Sequence, residues 1–351
     1  MDDIITKRKF SEIDLGSKFF ASLKTSYPEF DNWFQRKKEF NEEAFVHYNE
    51  ENEIDAFLYL KDESSESINL FPNNPLCRRL KIGTFKITPH NTLMGEKFLK
   101  IIFDTAMRGS FEEIYVTVFP VHEKLISMFK EFGFEEKTKK GEELVLVRKL
   151  KNNVNDDLKD FPIITGLSKR NIYVLSIYPK FHTKLFPDSI LKNELSQKAE
   201  LITDVSYTNS IHKIYISFIK DTALLKKGDV VVVYRTSDGT GPARYRSVVT
   251  SVCVIEEVKT KTDFVSIDDF LEYTKKYSVF SERELLSWYK KNYVVIKMMY
   301  NFAFQKRITR GDIIDKLNVP EGIYWGFFRL QKEQFNSLVE MGCINEGFIV
   351  D

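Results

Sequence analysis

Apolar and polar positions run in two rhythms along this chain, and the first 150 residues switch between them repeatedly. Residues 11–26 (SEIDLGSKFFASLKTS) predict a first helix. It stops before Tyr27-Pro28, because the residue preceding a proline resists the helical region. A second short helix, residues 32–40, carries Trp33 and Phe34. AFVHYN and IDAFLYLKDE then alternate apolar and polar around the turn signal NEENE, which predicts a hairpin. RRLKIGTFKI predicts a longer strand, alternating through Leu80, Ile82, Thr84 and Lys86. From Glu96 to Met107 the apolar stripe is broad, as in a helix packed on a sheet. EEIYVTVFP is a strand. His122 to Phe132 is a helix with Leu125, Ile126, Phe129 and Phe132 on one face and Gly133 at its C-terminal stop. ELVLVRKL closes the predicted sheet.

The polar stretch KNNVNDDLKDFP, residues 151–162, interrupts both rhythms. It predicts a first domain over 1–150, a linker over 151–165 and a second domain over 166–351. The second part opens on the strand NIYVLSIYP, passes helix-compatible residues 189–202, and continues with the strands HKIYISFI, DVVVVYRT and YRSVVTSVCVIEEV. SDGTGPA reads as a hairpin connection between the last two. Residues 265–291 predict helix, with Ser266 and Ser281 as N-caps and Glu284 completing a capping box. A strand VVIKMMYNFAFQ, a short helix TRGDIIDKL, a strand IYWGFFRL and a helix QKEQFNSLVEMG finish the chain. The fold class is α+β: a mixed sheet flanked by helices, then a small, partly open β-barrel with short helices.

At 351 residues the chain has room for two cores. Its apolar fraction of 43% fits a globular protein, and no apolar run approaches the roughly twenty residues that cross a bilayer. MDDIITKRKF lacks the apolar stretch of a signal peptide, so the cytoplasm is the expected location. Cys77, Cys253 and Cys343 suit neither a disulfide framework nor a zinc site, and the five histidines lack metal-ligand spacing, so no metal is expected. A net charge of +1 argues against bulk polyanion binding. Residues 1–150 carry −3 and residues 151–351 carry +4, a tilt that leans any nucleic-acid role towards the second part.

The chemistry concentrates between Arg79 and Phe134. A strand feeding a helix through a glycine-containing turn offers unpaired N–H groups and the positive end of a dipole to an anion. The region predicts a pyrophosphate-bearing cofactor near Gly95. KIGTFKITPHNTLMGEKFLKII and IYVTVFPVHEKLISMFKEFGF, the latter ending on Gly-Phe, resemble the GNAT superfamily of acyl-CoA-dependent N-acetyltransferases. With the flanking strands the likeness covers nearly all of residues 1–150. It implies acetyl-CoA as cofactor.

By that resemblance, Phe85, Lys86 and Ile87 would supply strand-edge contacts to the pantetheine arm, much as in strand addition. The turn Thr92, Leu93, Met94, Gly95, Glu96 and Lys97 would close on the pyrophosphate. The family's Arg/Gln-x-x-Gly-x-Gly/Ala falls on Thr92, Gly95 and Lys97, and only the central glycine is kept. Lys97 either adds a cation near the phosphates or points to solvent. Many members carry a tyrosine four residues before the glycine of Gly-Phe as acid to the leaving thiolate, whereas this chain has Phe129. His122 stands where an asparagine is frequent. It is either an acid or base at neutral pH or a water-facing residue at a helix start. No glutamate lies between Arg79 and Ile87 to serve as base, and Glu96 suits a structural role at the helix start. Loss of the tyrosine leaves the chemistry possible, since proximity alone is worth roughly 7–11 kcal/mol.

In the second part, YVLSIYPKFHTKLFPDSI, LLKKGDVVVVYRT and GIYWGFFRL loosely resemble the PUA-like barrels, which include ASCH and EVE domains. The Gly-x-Lys-x-x-x-x-Arg signature of ASCH domains is absent. The resemblance implies RNA or a modified base as ligand. Lys180, Lys184, Arg235, Arg244, Arg246 and Trp325 are the candidate contacts, cations tracking phosphate and the aromatic stacking on a base. Arg244 and Arg246 are expected on one strand face, which tells more than either alone, although a solvated face is the commoner reason for such a pair. The combined expectation is acetyl transfer from acetyl-CoA to an amine on RNA or an RNA-borne group such as aminoacyl-tRNA, in a toxin or an RNA-modifying enzyme. Two alternatives stand beside it: a non-catalytic adaptor that binds nucleic acid, and a protein N-acetyltransferase whose barrel selects a protein partner.

Overall fold

A computed structural model of the chain describes residues 5–64, 77–88, 93–151, 153–186 and 210–351. The chain divides into two compact units, residues 1–152 and 153–351. The predicted helical residues 189–202 lie outside the described residues.

The first unit is built on seven strands: β1 (Thr6–Lys9), β2 (Glu43–Tyr48), β3 (Ile54–Asp62), β4 (Arg79–Ile87), β5 (Glu113–Val118), β6 (Glu135–Lys140) and β7 (Glu143–Lys149). They lie in the order β1-β2-β3-β4-β5-β7-β6, and only β4 and β5 are parallel. That parallel pair needs a crossover, which α3 (Met94–Arg108) supplies. Helices α1 (Ala21–Ser26) and α2 (Phe30–Glu39) precede the hairpin, and α4 (Glu123–Glu131) follows β5. The expected helix over 11–26 is instead two 3-10 turns followed by α1, because the Asp14 side chain accepts from Gly16 N at 2.8 Å and fixes a turn there. β7 does not close the sheet as expected. The charged strand β6 pairs outside it and forms the edge.

The alternation expected through Leu80, Ile82, Thr84 and Lys86 also breaks. Tyr59 pairs with Thr84 and Leu60 with Ile82, so Gly83 is an extra residue in β4. This bulge puts Thr84 on the face opposite Ile82. A Cβ at Gly83 would lie 2.6 Å from Tyr59 Cδ1, so the tyrosine ring occupies the space that only glycine leaves.

The second unit folds around a six-stranded sheet made of β9 (Ile172–Ile177), β10 (His212–Ser217), β11 (Val230–Arg235), β12 (Val248–Thr260), β13 (Val294–Thr309) and β14 (Phe327–Leu330). The order is β10-β13-β12-β11-β9-β14. Three register shifts bend β12 against β13 and curl the sheet. The edge strands β10 and β14 are not paired to each other among the described residues, so the barrel stays open. Ser266 and Ser281 cap the helices Ile267–Lys275 and Glu282–Tyr289, with Glu284 in the capping box. Residues 154–165, read as linker, carry tertiary structure. The buried Asp160 carboxylate accepts from Val154 N, Asp156 N and Thr165 Oγ1 at 2.9, 3.1 and 3.3 Å. Ile164–Thr165 form β8, which pairs with Ile349–Val350, β15.

His182, on the helix Pro179–Leu185, is fully buried and bonds Thr250 Oγ1 through Nε2 at 2.7 Å. Burial, assisted by the charges of Arg235 and Arg307, pushes its pKa down to about 3. The folded state therefore keeps it neutral while the unfolded chain takes a proton below about pH 6.5. Stability of the second unit is expected to hold above that pH and to fall between about 6.5 and 3, by up to roughly 4 kcal/mol from this residue. Urea denaturation across that range should show a flatter profile in His182→Gln than in the unmutated protein.

Candidate active site

β4 and β5 pair from Arg79–Glu113 only as far as Ile82–Val116, although β4 runs on to Ile87 and β5 to Val118. Beyond Ile82 the two strands part, and a cleft of about 1080 Å³ opens between Gly83–Ile87 and Val116–Val118. Roughly 17 Å of strand edge is released there, counting five residues at about 3.4 Å each. Successive β4 side chains show how the cleft crosses the sheet. Phe85 packs on Phe98 of α3 and Phe129 of α4 at 5.4 and 5.5 Å. Lys86 goes the other way, bonding Ser22 of α1 and lying 4.9 Å from the Phe19 ring. The α3–α4 layer thus covers one mouth of the fork and the α1–α2 layer the other. Burial lowers the Lys86 pKa.

At the open end of the fork, α3 begins. Leu93 is its N-cap and gives no side-chain hydrogen bond to the first turn. Gly95 lines the cleft, and a Cβ there would come 2.8 Å from Met128 Sδ on α4. Glu96 sits in the first turn, where the helix dipole favours its charge. Thr92 lies outside the described residues. Lys97 does not face solvent: it is 1% exposed, buried on α3. Met94 is likewise buried.

His122 is the exposed N-cap of α4 and lines the cleft. Phe129 is fully buried, its ring 4.9 Å from Phe134, so no proton donor stands there. Phe85, Lys86, Ile87, Gly95 and His122, scattered over 38 positions of sequence, therefore meet at one cleft.

Several lining residues escaped the sequence reading. Tyr27 donates to Glu143 Oε1 at 2.9 Å, and burial followed by this carboxylate raises its pKa. Trp33, Arg36, Lys81 and Lys140 also line the cleft. Tyr27 was visible only as a helix stop before proline. Lys81 was visible only as a polar position in a strand. Neither has a local signal, since their partners are 116 and 34 residues away in sequence.

In the second unit the candidate nucleic-acid residues differ in exposure and in the partners they already hold. Lys180 is exposed and Lys184 half-buried on the helix Pro179–Leu185. Arg235 ends β11 and is 1% exposed, which withholds its guanidinium from a phosphate. Arg244 and Arg246 lie on a short helix, Ala243–Arg246, and not on a strand, because the pairing of β11 with β12 ends at Arg235–Val248 and leaves both in the connection. Each is already held, Arg244 by Asp315 at 2.7 Å to both oxygens and Arg246 by Asp238. Trp325 precedes β14 in a turn, 8% exposed, donating to Glu321 O at 3.0 Å beneath the Arg310 guanidinium. Its neighbour Tyr324 is the exposed ring, at 65%.

Among the described residues no helix is long and apolar enough to cross a membrane, and no group of three or more His, Cys, Asp or Glu could hold a metal ion. No protein-family model matches the chain, and no curated protein does. Solved structures resemble it in parts. An ASCH protein from Zymomonas mobilis is similar over 51% of this chain and 98% of its own, at 11% identity and TM-score 0.32. A GNAT family acetyltransferase from Elizabethkingia anophelis with acetyl-CoA bound is similar over 42% of this chain and 99% of its own, at 15% identity and TM-score 0.30. The N-acetyltransferase PseH from Campylobacter jejuni, in complex with acetyl coenzyme A, covers the same shares at 14% identity and TM-score 0.30. Likenesses this distant carry no argument about this chain's activity, and the chemistry has to come from its own residues.

Proposed function

We propose that the first unit binds acetyl-CoA and transfers its acetyl group to an amine, with RNA or an RNA-borne group such as aminoacyl-tRNA as the acceptor. The observation that carries this is the parting of β4 and β5 after Ile82–Val116, which leaves strand edge, cleft and the uncapped start of α3 in one line. The residues present fit the cofactor. The free edge of Gly83–Ile87 suits an extended amide-bearing arm, and the turn at Gly95 suits a pyrophosphate. Acetyl-CoA supplies an activated thioester. This chain's residues hold and orient it, and the crossing of the sheet lets an amine approach from the α1–α2 side. The amine nitrogen bonds the acetyl carbon and the carbon–sulfur bond breaks. Of the two protons an ammonium sheds, one goes to the CoA thiolate and one to solvent. With Phe129 in the apolar layer, proximity carries most of the rate.

In the second unit, exposed Tyr178, Tyr245 and Tyr324 together with Lys180 offer stacking surface and charge for single-stranded RNA. A second reading, a binding adaptor without turnover, is favoured by Phe129. Calorimetry with acetyl-CoA and labelled acetyl transfer to total tRNA, other RNA and lysate protein separate these. Expected are binding and label in the RNA fraction. Binding without label anywhere supports the adaptor, label in protein moves the acceptor, and no binding ends the cofactor reading.

A further inference from the structure

A second pocket, about 320 Å³, opens beside the closed end of the fork, between α2 and the face of β3 and β4. It shares Trp33, Arg36, Lys81 and Gly83 with the cleft, so the two adjoin at the end of the fork where β4 and β5 pair. If the cofactor's phosphates lie at Gly95, its acyl end points here.

The walls are unusual in charge. Arg36, Lys37, Lys61 and Lys81 face a single carboxylate, Glu63. Lys37 is matched by Glu42 at 3.2 Å, from just outside. Glu63 is already shared: it accepts from Lys61 at 2.9 Å and from Tyr115, and lies 3.7 Å from Lys81. Burial, and behind it the like charges of Lys140 and Lys61, lowers the pKa of Lys81. Arg36 is exposed and makes no ion pair among the described residues. Arg36 therefore brings to the pocket a positive charge that an anion would relieve, and a guanidinium can bind a phosphate at two points.

Its other feature is aromatic. Trp33, Arg36, Lys37 and Phe40 fall at helical spacing along one side of α2 and its end. Trp33 is braced edge-on against Tyr59 at 5.5 Å. Phe40, which also lines the pocket, is 77% exposed. Trp33 and Phe40 thus bring two aromatic side chains to the pocket, the kind of surface on which a planar base stacks. The volume sits at the low end for small-molecule sites, roughly 300–1,000 Å³, and fits one nucleotide unit but no folded partner.

We propose that this pocket is the acceptor site and that it takes a phosphate-bearing amine of nucleotide size, the phosphate on Arg36 and Lys81 and the ring between Trp33 and Phe40. The assignment as acceptor rests on the acetyl-transfer reading; the preference for a phosphate does not. The test titrates 3′-amino-3′-deoxyadenosine 5′-monophosphate and the unphosphorylated nucleoside into the full chain saturated with CoA, and into the chain alone. The monophosphate should bind about ten-fold tighter than the nucleoside. Arg36→Gln should cut that preference to about three-fold or less. Phe40→Ala, off the cofactor cleft, should weaken both ligands alike by about three-fold and leave CoA binding unchanged. Equal binding of the two ligands, or a preference unmoved by Arg36→Gln, overturns the proposal. Preferential acetylation of a lysine peptide over the monophosphate also overturns it. Should CoA itself fail to bind, the acetyl-transfer reading falls, while the titration of the chain alone still decides the phosphate site.

Discussion

Gly95→Trp is expected to remove acetyl-CoA binding by calorimetry, weakening it by about 100-fold or more, which is about 2.7 kcal/mol. The reason is room. A Cβ at this position already reaches 2.8 Å from Met128 Sδ, so an indole can go only between α3 and α4 or out into the cleft. Either course closes the place where backbone N–H groups of the first turn meet an anion. Gly95→Ala provides the control. Met128 is a flexible thioether chain, able to give by a few tenths of an ångström, and binding should stay within about three-fold. Circular dichroism and melting must show Gly95→Trp folded for the comparison to count. A folded tryptophan variant that binds acetyl-CoA as the unmutated protein does would place the cofactor elsewhere.

Arg79→Ala should destabilise the first unit by about 3–5 kcal/mol and lower its melting temperature by on the order of 10 °C. Arg79 and Glu113 are the first paired rung of β4 and β5, their side chains ion-paired and almost wholly out of water. Removing the guanidinium leaves a buried carboxylate uncompensated, which costs far more than the pair contributes. Arg79→Met with Glu113→Leu removes both charges and should recover most of the loss. The same variants test the fork. Its closed end depends on this rung, so Arg79→Ala should weaken acetyl-CoA binding more than the double variant does. Equal melting temperatures for all three proteins would mean the pair is hydrated and not structural.

The pieces around the cleft were legible because each is short and periodic. The β4 strand, the broad apolar stripe of α3, β5 and the α4 stripe ending at Gly133 are all set by local spacing, and Gly133 does adopt a positive φ of 78°. What failed was of another kind. β1 and β6 read as TKRK and EEKTKK, with no apolar alternation, because edge strands are protected by charge and are held by pairing to a neighbour. The bulge at Gly83 was invisible because a single extra residue shows only against a partner strand. Arg235, Lys97 and Trp325 looked available because residue type alone does not tell which face a polar group takes.

Local order around the cleft was thus written in the chain by itself: the succession β4, α3, β5, α4, that a glycine turn feeds α3, and that Phe129 stands in the apolar face of α4. Tertiary structure alone decided that β4 and β5 part after four rungs, that Tyr27 meets Glu143, and that the cations of α2, β3 and β4 crowd one pocket. The physical reason is range. Periodicity and capping act over a few neighbouring residues, whereas a cleft is made by strands that stop pairing and by side chains brought together from far apart in sequence.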